Sequence, residues 1–344
     1  MLTLTAYIAF ACAVYRVTVI DLPQAGNAAW LSALLGAVFA LPSLLAGCAL
    51  ARKSDSCLSA AIRAAIGNGA YRALCALLAA ACVLEAAITF STLTASAAYA
   101  TLYAVPDWAL LAFTFAVAAL VAYRGGNACG GVAAIWVCFA PVLYALALIP
   151  QLPSLSLNWL FPILGPGWKT VLTCAYPSAL LFSLIPFVAI LDDGSSEGAR
   201  RPIRLARLYL VCAATATMLL AVHASAYPSL PGLPGGRSAR LDLLLSGAKT
   251  HRAAQLPMLL LWYGSLVTGA AFFVYAGGRF ACEALGARHS LYALGCGLLS
   301  YLLAALGAFK GSVPARFCAV GALAVALSWL LIWMGKWIWR RERK

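Results

Sequence analysis

GPGWKTVLTCAYPSALLFSLIPFVAIL, residues 165–191, is long and apolar enough to cross a bilayer as a helix, yet it carries Pro177 and Pro186 inside the crossing. Proline lacks an amide donor and clashes with the carbonyl four residues earlier, so Tyr176-Pro177-Ser178, near the middle, is a candidate interruption. A proline kink without any ligand is the competing reading for each proline. The choice between them decides the fold. In membrane proteins built from inverted repeats, discontinuous helices occupy corresponding places in the two halves and hold the substrate near the bilayer midplane.

Working outward, the 344 residues are 64% hydrophobic and only 10% charged, and the mean hydropathy is +0.92. Soluble domains are about half apolar and a quarter charged. Apolar runs of about 20 residues recur along the whole chain, which a bilayer tolerates only as helices, since barrel strands would alternate over short segments. The spacing predicts an all-α polytopic membrane protein of about ten spans: 4–24, 28–50, 71–97, 106–123, 128–149, 165–191, 204–226, 256–283, 290–308 and 316–338. These form one transmembrane domain, residues 1–344, with repeat one over approximately 1–150 and repeat two over approximately 160–344. The amino terminus has neither a basic n-region nor a small-residue cleavage site behind a short apolar stretch, and reads as a retained first span.

Charge placement sets the expected topology. The net charge is +14, and with a cytoplasmic amino terminus 16 Lys and Arg fall in inner connectors and the tail against seven outside. The positive-inside rule then gives N-in and C-in. The connector Arg52 to Arg72 has apolar positions at helical spacing and reads as an amphipathic interfacial helix. Ala226 to Gln255 opens with Pro and Gly and then turns apolar, consistent with either an outer lid or an irregular loop. The basic residues form no stripe interleaved with exposed aromatics, which excludes a nucleic-acid surface. Twelve cysteines, including Cys12, Cys48, Cys82, Cys138, Cys174 and Cys212, lie mostly inside apolar runs without C-x-x-C or His at metal spacing, and read as small packing residues. No metal, cofactor or catalytic set is expected.

Span one has no central Gly or Pro, so its claim to be interrupted rests on charge. Arg16 lies about 18 Å into a hydrocarbon core of about 30 Å, counting from an inner boundary near Leu4. A charge at that depth faces the bundle interior or a wet cavity. Asp21 and Pro23 lie nearer the outer rim, where a solvated helix end accounts for them. Glu85, in LLAAACVLEAAITFSTL, sits at comparable depth in span three and needs a partner or a proton. One reading pairs Arg16 with Glu85, directly or through water or the charged ends of a zwitterion; the other satisfies each separately from backbone and hydroxyls. The candidate ligand-binding set is Arg16, Tyr15, Glu85, Thr89, Tyr176, Ser178 and Tyr263. The hydroxyls of Thr89, Ser91, Thr92 and Thr94 on span three and of Ser178 and Ser183 on span six could line the cavity or bond back to their own helices. His223 reads as interfacial, at the outer end of span seven, and packing accounts for Trp262, Tyr275 and Gly277-Gly278 in span eight.

Several stretches together resemble the B subunits of spore germination receptors, a permease-like family of the amino acid-polyamine-organocation superfamily. They are LPQAGNAAWLSALLGAVFALPSLL (22–45), TLYAVPDWALL (101–111), YRGGNACGGVAAI (123–135), LNWLFPILGPGWKTVLTCAYPSALLF (157–182) and HRAAQLPMLLLWYGSL (251–266). The Leu160-x-Pro162-x-x-Gly165-x-Gly167 approach to span six is similar to that family's. The sequence departs from it at AVYRV (13–17), where small residues are common, and at Gln255-Leu256, where glutamate is usual. The resemblance implies a LeuT-like inverted 5+5 repeat with interrupted helices one and six. It also implies a small-molecule germinant, often an amino acid, bound between spans one, three, six and eight, and receptor A and C subunits as partners in the spore inner membrane.

Three functions compete on these grounds: a receptor whose occupancy biases a two-state bundle, a secondary amino acid transporter with proton coupling through Glu85, and a membrane scaffold. An enzyme is not expected, because phosphate loops, paired carboxylates at an aqueous face and metal clusters are all missing from the sequence. One acid and one base in a cavity would suit a zwitterion better than a sugar.

Overall fold

The computed structural model describes residues 2–18, 23–53, 58–100, 106–149, 152, 156–161, 164, 167–191, 201–226, 252–286 and 289–307. The expected tenth span, Asp21 and most of the stretch Ala226 to Gln255 lie outside the described residues. Within them the chain is helical: α1 (Leu2–Arg16), α2 (Ala29–Lys53), α3 (Leu58–Ile66), α4 (Asn68–Ala100), α5 (Asp107–Tyr123), α6 (Gly126–Leu148), α7 (Trp168–Leu184), α8 (Val188–Leu191), α9 (Arg201–Ala226), α10 (Arg252–Leu285) and α11 (His289–Ala305). Six of these elements are long and apolar enough to cross a membrane, and Leu2–Arg16, Asp107–Tyr123 and His289–Ala305 are shorter apolar helices, so an apolar helix stands at each of the nine spans expected in this region. The amphipathic connector is helical over Leu58–Ile66 and stops at Gly67, whose φ of 81° is a left-handed value that favours glycine.

Two groups of helices emerge from the packing. One brings α2 against α7 and α9; the other brings α10 against α4, α5 and α11, with α11 also on α4 and α5. Helix α1 lies between them, touching α9 on one side and α10 on the other, and α6 flanks α1 and α10. Among the described residues, four spans of the first half meet the helix five spans later: α1 with α7, α2 with α9, α4 with α10 and α5 with α11. Small residues allow the closest approaches. A Cβ on Gly36 of α2 would stand 2.6 Å from the Ser178 Cβ of α7, and one on Gly278 of α10 would stand 2.6 Å from the Ala293 Cα of α11. At one end Gly126 meets Leu2 and Tyr275, and Arg63 pairs with Glu283; at the opposite end Asn27 donates to the Leu160 carbonyl at 3.5 Å, and the Ser156 amide donates to the Ser225 carbonyl at 3.2 Å.

Helices one and six are both irregular, although not where the prolines alone suggest. Regular α-helix stops at Arg16, Val17 and Thr18 form a wider π turn, and the Thr18 hydroxyl covers the carbonyls of Val14 at 2.9 Å and Tyr15 at 3.1 Å. Past Asp21 the chain resumes as a 3-10 turn, Pro23–Ala28, where Gly26 takes φ 54° and ψ −129°. In span six the break expected at Tyr176-Pro177-Ser178 is not formed: α7 runs through Pro177 to Leu184. A helix survives the loss of one amide donor when its neighbours hold it, and here Gly36 of α2 packs directly on Ser178. The interruption falls about two and a half turns later, as a 3-10 turn at Ile185–Phe187 around Pro186, seated on Gly47 of α2.

The cysteines mostly behave as packing residues: Cys75, Cys82, Cys129, Cys174 and Cys212 are buried, and none of the described cysteines is in a disulfide. Cys138 is the exception, exposed on the outer side of α6.

Candidate functional site

Arg16 ends the regular part of α1 and is 0% exposed. Its Nη2 donates to Glu85 Oε2 at 2.7 Å, and its Nη1 donates to Thr89 Oγ1 at 2.8 Å. Glu85 and Thr89 stand four residues apart, on one face of α4, so both can meet the same guanidinium. Thr89 also donates its hydroxyl to the Glu85 carbonyl at 2.7 Å, fixing its oxygen as an acceptor toward Arg16. The direct contact decides between the two readings of these charges, and it leaves no space between them for a bridging zwitterion in this state. Such a pair is viable in an apolar interior only because each charge neutralises the other and both are hydrogen-bonded.

The remaining candidates are dispersed. Tyr15, one residue before Arg16, points about a quarter turn away, and its hydroxyl meets His223 Nδ1 at 2.9 Å. Its ring is edge-on to Trp262, with centroids 5.7 Å apart. Tyr263 donates to the Leu93 carbonyl at 3.3 Å, between α10 and α4. Ser178 is fully buried against α2, its hydroxyl without a hydrogen-bond partner. Tyr176 is 51% exposed, whereas Arg16 is fully buried. Thr92, Thr94 and Ser183 bond back to carbonyls of their own helices.

A cavity of about 300 Å³ opens between α1, α6, α9 and α10. Of the candidate set it includes Tyr15 alone. Each wall is a helical stripe: Tyr7, Ala11 and Tyr15 with Ile8 and Cys12 on α1; Trp136, Val137, Ala140, Pro141 and Tyr144 on α6; Thr215, Leu219, Val222 and His223 on α9; and Met258, Leu261, Trp262 and Ser265 on α10. Three hydrogen bonds tie its polar groups in pairs: Tyr15 with His223, Tyr7 to Thr215 at 3.0 Å, and Trp136 Nε1 to Ser265 at 2.9 Å. Among the described residues no Asp, Glu, Lys or Arg lines it.

His223 is therefore not interfacial, as its place near the end of span seven suggested, but buried against Tyr15. The signal that could have found it is the spacing Thr215, Leu219, His223, which puts two polar groups on one stripe of an apolar helix. Among the described residues no three His, Cys, Asp or Glu side chains are grouped to hold a metal ion.

No family profile and no curated protein matches the chain significantly, so the likeness to germination receptor subunits rests on the sequence stretches alone. Solved structures do match. The crystal structure of MhsT in complex with L-phenylalanine is similar with a TM-score of 0.68 at 14% identity, over 96% of this chain and 87% of that one. Two mutants of the Eremococcus coleocola manganese transporter are similar with TM-scores of 0.52 and 0.50, each at 14% identity over 94% of this chain and 77% of theirs. At such identity the likeness speaks for architecture alone: the chain is an all-helical, polytopic membrane protein of LeuT-like fold.

Proposed function

We propose that this chain is a ligand-sensing, permease-like membrane subunit of the spore germination receptor kind, with an amino acid as germinant and with A and C subunits as partners. The carrying observation is the buried Arg16–Glu85 pair, which fastens α1, lying between the two helix groups, to α4 of the second. An amino acid can open that fastening at little electrostatic cost, because its carboxylate takes over Arg16 while its ammonium takes over Glu85 and the Thr89 hydroxyl. A singly charged ligand would strand one partner in an apolar interior. Occupancy thus favours a state in which α1 is released from α4, and a ligand shifts a two-state equilibrium only through such differential interactions. The topology proposed with this function is N-in and C-in.

A secondary amino acid transporter is the second reading, supported by the LeuT-like fold and by the transporter structures that share it. One experiment separates the two. The purified full chain in proteoliposomes is given each of the 20 protein amino acids in labelled form, with binding and uptake read separately. Saturable binding without uptake, together with co-purification of A and C subunits from the native membrane, is the receptor result. Uptake by the isolated chain overturns it. Arg16→Met is expected to abolish amino acid binding while leaving membrane insertion intact, and unchanged binding in that variant overturns the exchange mechanism.

A further inference from the structure

The cavity between α1, α6, α9 and α10 is not used by the Arg16–Glu85 mechanism, and its chemistry differs. We infer that it is a second binding site, for an uncharged one- or two-ring aromatic molecule carrying a hydroxyl or N–H group.

Three observations carry this. Tyr7, Tyr15, Trp136, Tyr144 and Trp262 present aromatic faces and edges from three of the four walls, and a ring gains from edge-to-face and offset contacts with such walls beyond its area burial. The volume, about 300 Å³, is at the lower end of small-molecule sites, which fits one or two rings rather than a lipid or a peptide. Among the described residues the walls carry no Asp, Glu, Lys or Arg, and the nearby Arg16 is already neutralised by Glu85. A carboxylate, an ammonium or a zwitterion would enter without a counter-charge and lose its hydration uncompensated.

The polar groups set the handle. Tyr7 and Thr215 share one hydrogen bond between two hydroxyls, so one hydroxyl proton and several lone pairs of that pair remain for a ligand. This suits a phenol-like O–H or an indole-like N–H at that corner, with the ring lying toward Trp262.

The test uses the full chain in phosphatidylcholine nanodiscs with tritiated indole, subtracting empty discs. Saturable binding is expected, displaced by phenol and not by benzoate, tryptamine or L-phenylalanine. Ala140→Phe, which fills the cavity from α6, is expected to abolish it. Thr215→Val is expected to weaken phenol about three- to tenfold, the loss of one hydrogen bond. Saturable indole binding is expected to persist in Arg16→Met, which lacks the proposed amino acid site, and that persistence keeps the two sites distinguishable. No saturable indole binding, wild-type binding in Ala140→Phe, or displacement by L-phenylalanine at the concentration effective for phenol each overturns the inference. Should Ala140→Phe fail to fold by thermal unfolding, Thr215→Val decides, and an unchanged phenol affinity overturns it.

Discussion

Arg16 is one of the largest fully buried side chains among the described residues, and its burial depends on Glu85. Removing one member of such a pair leaves an uncompensated charge and costs about 3–5 kcal/mol, whereas removing both costs far less. Arg16→Met and Glu85→Gln are therefore each expected to lower the thermal unfolding midpoint strongly, and the double variant to recover most of the loss. The second ion pair behaves differently. Arg63 and Glu283 are joined at the bundle end, with the Arg63 side chain 45% exposed and its guanidinium 4.6 Å from the Tyr71 ring centroid. Arg63→Ala should cost no more than about 1 kcal/mol, and added salt should erase the difference; a salt-insensitive loss of several kcal/mol would contradict that. At this scale the sequence reveals Arg16, Glu85 and Thr89, because a charge deep in an apolar run demands a partner and i, i+4 spacing supplies two groups on one face. His223 is not legible in the same way. Its partner Tyr15 is 208 residues away, and nothing local to either residue names the other.

Where helices meet, backbone proximity matters more than side-chain chemistry. Gly36 lets α2 lie against α7, and a methyl group there would fall 2.6 Å from the Ser178 Cβ and 2.9 Å from the Ala175 carbonyl oxygen. Gly36→Ala is expected to destabilise by about 1–3 kcal/mol through overpacking, read by thermal unfolding, despite the higher helix propensity of alanine. Gly131→Ala, with nothing within 4 Å of the added atom, is the control and should be neutral or slightly stabilising. The proline arithmetic of span six shows what a sequence reading reaches at this level. Two prolines announce irregularity, but which one opens the helix depends on what packs beside it. Pro177 is held inside α7, while Pro186, seated on Gly47, ends in a 3-10 turn. In span one the irregular turn at Val17–Thr18 has no glycine or proline to advertise it, only the neighbouring charge.

Across the whole molecule, composition and the spacing of apolar runs suffice for an all-helical membrane protein, and the described spans fall close to their expected positions. The arrangement of those spans into two groups is carried by contacts between distant segments, which hydropathy does not encode. Orientation is tested simply: a fluorescent protein fused after Lys344 should fluoresce under the proposed C-in topology, whereas a dark fusion with an active outside-facing reporter would reverse it. The pairing of four early helices with ones five spans later also has a consequence for how the chain is made. Translation delivers the first half to the bilayer while the faces of α2, α4 and α5 still await helices the ribosome has not yet read. Arg16 and Glu85, however, belong to the same early half. The nascent protein can therefore neutralise its most costly charges before the second half is synthesised, and wait for its partners as an electrically quiet intermediate.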